Sequence, residues 1–240
     1  MSDALAAVTA VILAGGKGTR LSPRVSDRPK ALAEIHGRPF LAWLLDRLHA
    51  AGIVQAVVCT GHLAEQIEAA FGPDYRGLRL AYSREAAPLG TGGALRLALP
   101  LLRTDPVLAF NGDSFADVDL AELVAWHATR GAAATLSLAR VYDASRYGRV
   151  ALDDAGRVVK FAEKSAEAES GWINAGVYAL SRRLLDSIPP SREVSLEKEV
   201  FPTWVGRGLW GRQSPGRFID IGTPESYAAA ADFFEKSHAP

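Results

Sequence analysis

Apolar positions recur along this chain in two rhythms, and its first half alternates between them. Residues 8–13, 53–59, 78–82 and 107–110 are short, nearly unbroken apolar runs, the kind buried on both faces of a parallel sheet. Between the first two, Phe40, Leu41, Leu44, Leu45 and Leu48 return at helical spacing, with Pro39 suited to a helix start and Gly52 to its end. Further helical patterns cover residues 63–71, 91–102 and 119–129. Strand and helix in strict alternation predict a mainly parallel sheet with helices on both faces.

The pattern changes after about residue 131, where strands follow one another more closely. Residues 132–141 and 172–180 read as strands, and 149–152 with 157–161 flank a turn at 153–156. Short helices are expected at 182–188 and 196–205, short strands at 209–212 and 218–221, and a closing helix at 224–234. No linker, repeat or low-complexity tract interrupts this order. The expectation is one mixed α/β domain over residues 1–240, whose second half adds a lid or a substrate-binding part.

Composition narrows the partners. Lys plus Arg equals Asp plus Glu at 27 each, so no global positive field draws in nucleic acid or an anionic membrane. Cys59 is the one cysteine and sits in an apolar run, which excludes an internal disulfide and a cysteine zinc site; it reads as a small buried hydrophobe. Residues 1–9 lack the pattern of a secretory leader, and the apolar runs fall far short of a membrane span. A cytoplasmic protein is therefore expected. The histidines at 36, 49, 62, 127 and 238 are scattered and form no ligand spacing.

Candidate chemistry concentrates at strand ends. Leu13-Ala14-Gly15-Gly16-Lys17-Gly18-Thr19-Arg20-Leu21 follows the first strand, and Arg28-Pro29-Lys30 comes soon after. Glycines let backbone amides approach a phosphate, and the cations match a polyanion. Lys17 is followed by Gly18 rather than Ser or Thr, so this is not the common P-loop. Leu21 stands where a dinucleotide fingerprint needs glycine, which disfavours a nicotinamide oxidoreductase. Asp113 ends the strand at 107–110 and Asp220 lies in the last short strand; such residues are commonly turn or cap groups, yet magnesium prefers this kind of oxygen ligand. Asp117 and Asp119 read as the start of the following helix. Glu85 with residues 88–94 forms a second glycine-rich connection, either a helix entry capped by Thr91 or a close backbone approach to a base and ribose. Gly176 inside a strand signals close contact with another group. Residues 195–202 read as a helix capped by Ser195, with Lys198 in a surface charge pair and no catalytic role.

Residues 13–30 resemble the signature of the sugar-1-phosphate nucleotidyltransferases, Leu-Ala-Gly-Gly-x-Gly-Thr-Arg-Leu with a Pro-Lys about nine residues later. The Gly-Asp at 112–113, the Asp-x-Gly-Thr-Pro at 220–224, the Leu-Gly-Thr-Gly-Gly-Ala at 89–94, Glu163-Lys164 and Asn174-Ala175-Gly176 are similar to further elements of that family, so the likeness spans most of the chain. Ser165 stands where many members have proline, which puts the shape of the lid in doubt.

The resemblance implies a three-layer Rossmann-like, GT-A-like fold with a central mixed, mainly parallel sheet. It divides the domain into a nucleotide-binding part, 7–131, and a sugar-phosphate-binding part, 132–237. It implies that Leu13, Ala14, Gly15, Gly16, Gly18, Thr19, Glu85, Gly90, Thr91 and Gly92 surround the nucleotide, and that Arg20 and Lys30 neutralise its triphosphate. Asn111, Glu163, Lys164 and Asn174 would hold the sugar phosphate, and Asp113 with Asp220 would hold Mg²⁺. The implied reaction is in-line attack of a sugar 1-phosphate on the α-phosphorus of a nucleoside triphosphate, with GTP as the base of choice. Residues 82–85, 88–93, 111–114 and 172–178 look most like the D-glycero-D-manno-heptose 1-phosphate guanylyltransferases. Mannose-1-phosphate guanylyltransferases and N-acetylmuramate-1-phosphate uridylyltransferases stand close by, and a non-catalytic nucleotide-sugar sensor is the alternative of a different class. Assembly into a homo-oligomer is left open.

Overall fold

The computed structural model describes residues 5–16, 27–144, 147–162 and 169–235. The apolar run near the N-terminus forms β1 (Ala10–Leu13). A 3-10 turn at Lys30–Leu32 and a small ribbon of β2 (Glu34–Ile35) and β3 (Arg38–Pro39) precede α1 (Phe40–Ala50). Then come β4 (Gln55–Thr60), α2 (Ala64–Phe71), β5 (Asp74–Tyr75), β6 (Leu78–Arg84) and α3 (Gly90–Ala98). They are followed by β7 (Val107–Asn111), β8 (Ser114–Ala116) and α4 (Leu120–Thr129). The second half holds β9 (Ala134–Val141), β10 (Arg149–Leu152), β11 (Val158–Ala162), β12 (Gly171–Leu180) and α5 (Arg182–Ser187). A π-helical turn at Leu196–Val200, α6 (Phe201–Trp204), β13 (Leu209–Ser214), β14 (Phe218–Asp220) and α7 (Pro224–Glu235) complete the order.

Strands β7, β1, β4 and β6 lie side by side and parallel, with Leu13 registered against both Cys59 and Asn111. The connections after these strands therefore leave from one edge, where open parallel sheets bind ligands. The second half continues the same sheet: β12 runs antiparallel to β7 and also to β9 and β10, while β13 joins β9 in parallel.

Alternation along the central strands sends side chains into two apolar layers. Ile12, Val58 and Phe110 pack with Leu41, Leu45 and Phe234 on one face. Val11, Val57 and Ala109 pack with Leu95, Leu184 and Phe201 on the other. Each large apolar side chain removed from water in this way contributes roughly 1.5–3 kcal/mol. Helices on both faces of a mainly parallel mixed sheet, as the alternation predicts, give the three-layer Rossmann-like arrangement that the resemblance implies. Cys59 is buried, its thiol pushed up to about 12 by desolvation and by nearby Glu85, so it is an inert core group.

The helix expected over 196–205 is instead two pieces, a π turn followed by α6, with Pro202 in the first turn of α6. Proline's missing N–H is tolerated at a helix start and not inside one. Asp119 caps α4 by accepting from the Glu122 N–H at 2.9 Å. Asp117 does not join that cap; it pairs with Arg217 at 3.3 Å. Ser195 caps its turn through Lys198 N–H at 3.2 Å, while the charge pair of that segment joins Arg192 to Glu199 at 2.8 Å.

Candidate active site

A cleft of about 680 Å³ opens at the C-terminal edge of the parallel strands, a volume in the range of small-molecule sites. Leu13, Ala14, Gly15 and Gly16 line it from the end of β1, and Asn111, Gly112 and Asp113 from the end of β7. Glu85, Pro88, Gly90 and Thr91 line it after β6, and Lys30, Glu193, Glu197 and Gly222 supply the rest of its polar rim.

Backbone hydrogen bonds hold the three strand ends together. Ala14 N–H donates to Cys59 C=O and Gly112 N–H to Leu13 C=O, each at 2.9 Å. A Cβ at Gly112 would lie 2.6 Å from the Leu13 oxygen, so only glycine lets the two turns approach. Glu85 reaches over the first turn: its Oε1 would meet a Cβ at Gly15 at 2.6 Å, and its Oε2 accepts from Leu89 N–H at 3.1 Å. Burial, reinforced by Glu193, raises the Glu85 carboxyl above the ordinary glutamate range, with the Leu89 hydrogen bond opposing.

Asp113 and Asp220 come close through a small antiparallel ribbon. β14 pairs with β8, placing Asp220 opposite Ser114, and Ile221 N–H donates to Asp113 C=O at 2.9 Å. The Lys30 ammonium meets Asp113 Oδ2 at 2.7 Å. Asp220 is oriented by Gly222 N–H at 2.6 Å, by the Ser226 hydroxyl at 3.2 Å, and by the Tyr147 hydroxyl. A Cβ at Gly222 would fall 2.5 Å from Asp220 Oδ1 and 3.7 Å from the Lys30 ammonium, so this glycine keeps the space between acid and cation open. Arg47, buried beneath the ribbon, donates to the Ala116 and Val118 carbonyls and packs on the Phe115 ring. Its desolvation lowers the guanidinium to about 10, still charged at neutral pH.

Several residues expected at the site serve the chain's own packing. Gly92 N–H donates to Val194 C=O at 2.8 Å, and a Cβ at Gly93 would sit 2.8 Å from the Arg192 oxygen. Gly92 is absent from the cleft lining for that reason. Thr91 is not the helix cap; its hydroxyl accepts from Leu196 N–H at 2.8 Å and donates to Glu197 at 3.2 Å. Asn174 is also off the lining, its amide spent on the buried Tyr178 hydroxyl at 2.8 Å and on Gly176 N–H at 3.0 Å. Gly176 adopts φ +72°, and a Cβ there would strike Ser114 Oγ at 2.5 Å, which explains a glycine within a strand. Asn111 lines the cleft, and its Oδ1 is buried without a partner among the described residues.

Sequence reasoning missed Glu193, which lies outside every predicted element, and Glu197, which fell in a helix read as a surface feature; the hydroxyls of Thr91 and Tyr178 that bind Glu197 are remote in sequence. Arg47 carries no sequence signal, sitting among ordinary charged positions of α1. Gly18, Thr19, Arg20, Glu163 and Lys164 lie outside the described residues. So does Lys17. His36 bonds the Ala231 carbonyl at 2.9 Å on the far side of α7's packing, and buried His127, held neutral with its pKa lowered to about 4, meets Thr135.

The model of the family described as "Nucleotidyl transferase" matches residues 9–237. The chain belongs to the nucleotidyl transferase family. Among its relatives, a mannose-1-phosphate guanylyltransferase of Mycobacterium tuberculosis is 40% identical over 237 residues, covering 97% of this chain and 66% of that protein. A D-glycero-alpha-D-manno-heptose 1-phosphate guanylyltransferase of Aneurinibacillus thermoaerophilus is 37% identical over 222 residues, covering 92% of this chain and 96% of that protein. HddC from Yersinia pseudotuberculosis, solved with GMP-PN, superimposes with a TM-score of 0.82 at 30% identity, covering 95% of this nucleotidyl transferase and 99% of HddC. Among the described residues no helix is long and apolar enough to cross a membrane.

Proposed function

We propose that this nucleotidyl transferase joins GTP to a sugar 1-phosphate, with D-glycero-α-D-manno-heptose 1-phosphate as the preferred acceptor, releasing pyrophosphate and a nucleotide-sugar. The observation that carries this reading is the approach of Asp113, Asp220 and Lys30 beside a cleft lined by Gly15 and Gly16. Guanylyltransferase relatives and the nucleotide complex of HddC support the base.

Both substrates are anions, so the reaction's difficulty is repulsion and alignment rather than proton removal. The phosphate nucleophile is already ionised near neutral pH, and no side-chain base is required. The amides around Gly15 and Gly16 bind the triphosphate, and Lys30 holds charge next to it. Glu85 and the Thr91–Glu197 pair shape the cleft wall. Lys164, Glu163 and Arg20 join the sugar-phosphate and triphosphate sites in this reading, as does Asn111, which lines the cleft. Asn174 acts by orienting Tyr178.

A divalent ion fits the donors on hand: two hard carboxylates, a glycine that leaves space beside Asp220, and substrate oxygens to complete the shell. Asp113 and Asp220 would hold Mg²⁺, which when bound polarises the α-phosphate and offsets its developing charge. In this reading residues 7–131 are the nucleotide part and 132–237 the sugar-phosphate part, joined in one sheet where β7 pairs with β12.

The test is a matrix of five nucleoside triphosphates against heptose, mannose, glucose and N-acetylated sugar 1-phosphates, read by pyrophosphate release. Turnover confined to GTP, fastest with the heptose phosphate, is expected. Preference for mannose 1-phosphate moves the acceptor and keeps the mechanism. Tight nucleotide-sugar binding with no turnover across the matrix makes the protein a sensor.

A further inference from the structure

Lys30 is the single lysine or arginine among the described residues that line the cleft, set against four carboxylates, Glu85, Asp113, Glu193 and Glu197. Lys30 is also already engaged. Its backbone is fixed in a short 3-10 turn, where Leu32 N–H donates to Pro29 C=O at 2.8 Å and Ala31 and Leu32 are buried. Its side chain is only 12% exposed, while that of Asp113 is 42% exposed, and the two meet at 2.7 Å. The ammonium also borders the opening left by Gly222, on the side toward Asp220. A desolvated ammonium cannot give up its carboxylate without another anion to receive it.

We propose that Lys30 and the divalent ion compete for Asp113, so that the ion enters as its complex with the triphosphate and not alone. The inference rests on the reading above that Asp113 is a metal ligand. It adds an order of events set by this chain's own lysine. In the free protein the Asp113 carboxylate is neutralised by Lys30, which depresses its affinity for a bare cation. An incoming triphosphate offers the ammonium a second anion. Lys30 turns to that phosphate, Asp113 is released to the ion that the triphosphate carries, and one charge pair is exchanged for two without leaving any charge unpaired. The lysine thus does two jobs: it excludes stray divalent ions from the empty cleft, and it couples metal capture to nucleotide capture.

The experiment measures Mn²⁺ binding to nucleotide-free protein from the loss of the free-ion EPR signal, in wild type, Lys30→Met, Lys30→Arg and the double variant Lys30→Met/Asp113→Asn. Lys30→Met should tighten Mn²⁺ binding about tenfold or more, the scale of removing one adjacent like charge. Lys30→Arg, which keeps the charge, should match wild type, and the double variant should lose the gain. A parallel calorimetric titration of Mn²⁺·GTP into wild type and Asp113→Asn checks the parent reading. Weaker Mn²⁺·GTP binding by Asp113→Asn, with Lys30→Met no tighter for bare Mn²⁺ than wild type, overturns the competition alone. Equal Mn²⁺·GTP binding by Asp113→Asn removes the metal assignment and the competition with it. Should Lys30→Met not fold, Lys30→Arg still decides: an arginine variant that binds bare Mn²⁺ about tenfold tighter than wild type contradicts a role for the positive charge.

Discussion

Two glycine-rich connections lie on the same edge of the sheet and look alike as strings of residues, yet they answer to different neighbours. After β1, a Cβ at Gly16 would meet none of the described residues within 4 Å, and one at Gly15 would meet the movable end of Glu85. At the start of α3, Cβ atoms at Gly90 and Gly93 would strike the backbone of residues 192–194 at 2.6 and 2.8 Å. Among the described residues, the first connection is not packed against another backbone segment at Gly16. In the second, room is already taken by the segment that carries Glu193 and Glu197 into the cleft. Glycine in a βα turn therefore marks close approach, and only the fold tells whether a ligand or the chain itself does the approaching.

Substitutions separate the two cases. The largest effect on stability is expected from Gly93→Val, which forces apart α3 and residues 192–194; a loss of about 3 kcal/mol in denaturant unfolding is predicted. A melting curve unchanged from wild type would show that this contact yields freely. Gly16→Ala should leave unfolding free energy within about 0.5 kcal/mol of wild type. It should nonetheless weaken GTP binding about tenfold, the scale of one lost charge-assisted amide contact. Loss of stability with intact GTP affinity would reverse the comparison.

The smallest effect concerns Glu85, which spans both connections. Its carboxyl is raised by burial, so the folded state bears a penalty at pH above that raised value. The penalty shrinks as pH falls through it and is gone below the ordinary glutamate value of 4.5. Glu85→Gln should therefore be the more stable protein at neutral pH, and its advantage over wild type should vanish below that value. A constant difference across the range would mean that lost hydrogen bonding, not ionisation, sets the change.

The alternation of β1, α1, β4, α2, β6, α3 and β7 was legible because each run obeys a single period and its ends carry proline or glycine punctuation. The strand end put Asp113 on the crevice side of the sheet, but its candidate metal role came from the family's Gly-Asp element, since a lone strand-end aspartate is more often a turn or cap group. Asp220 needed the family's Asp-x-Gly-Thr-Pro, since its three-residue strand has no period to read. What stayed hidden depends on contacts across sequence distance. Glu197 enters the cleft because Thr91 and Tyr178 grip it, and Asn174 leaves the lining because Tyr178 and Gly176 use its amide. Arg47 supports the aspartate ribbon through two carbonyls about seventy residues away, a link that no local pattern encodes.

Asp220 is the member of the acid pair whose oxygens are also engaged by Gly222, Ser226 and Tyr147, so it offers the sharpest trial of the shared ion. The decisive measurement is pyrophosphate release by Asp220→Asn across a Mg²⁺ titration at saturating GTP and sugar 1-phosphate. A Mg²⁺ requirement shifted upward about tenfold or more, with native melting behaviour, is the predicted result. An unchanged Mg²⁺ curve at wild-type rate would contradict it.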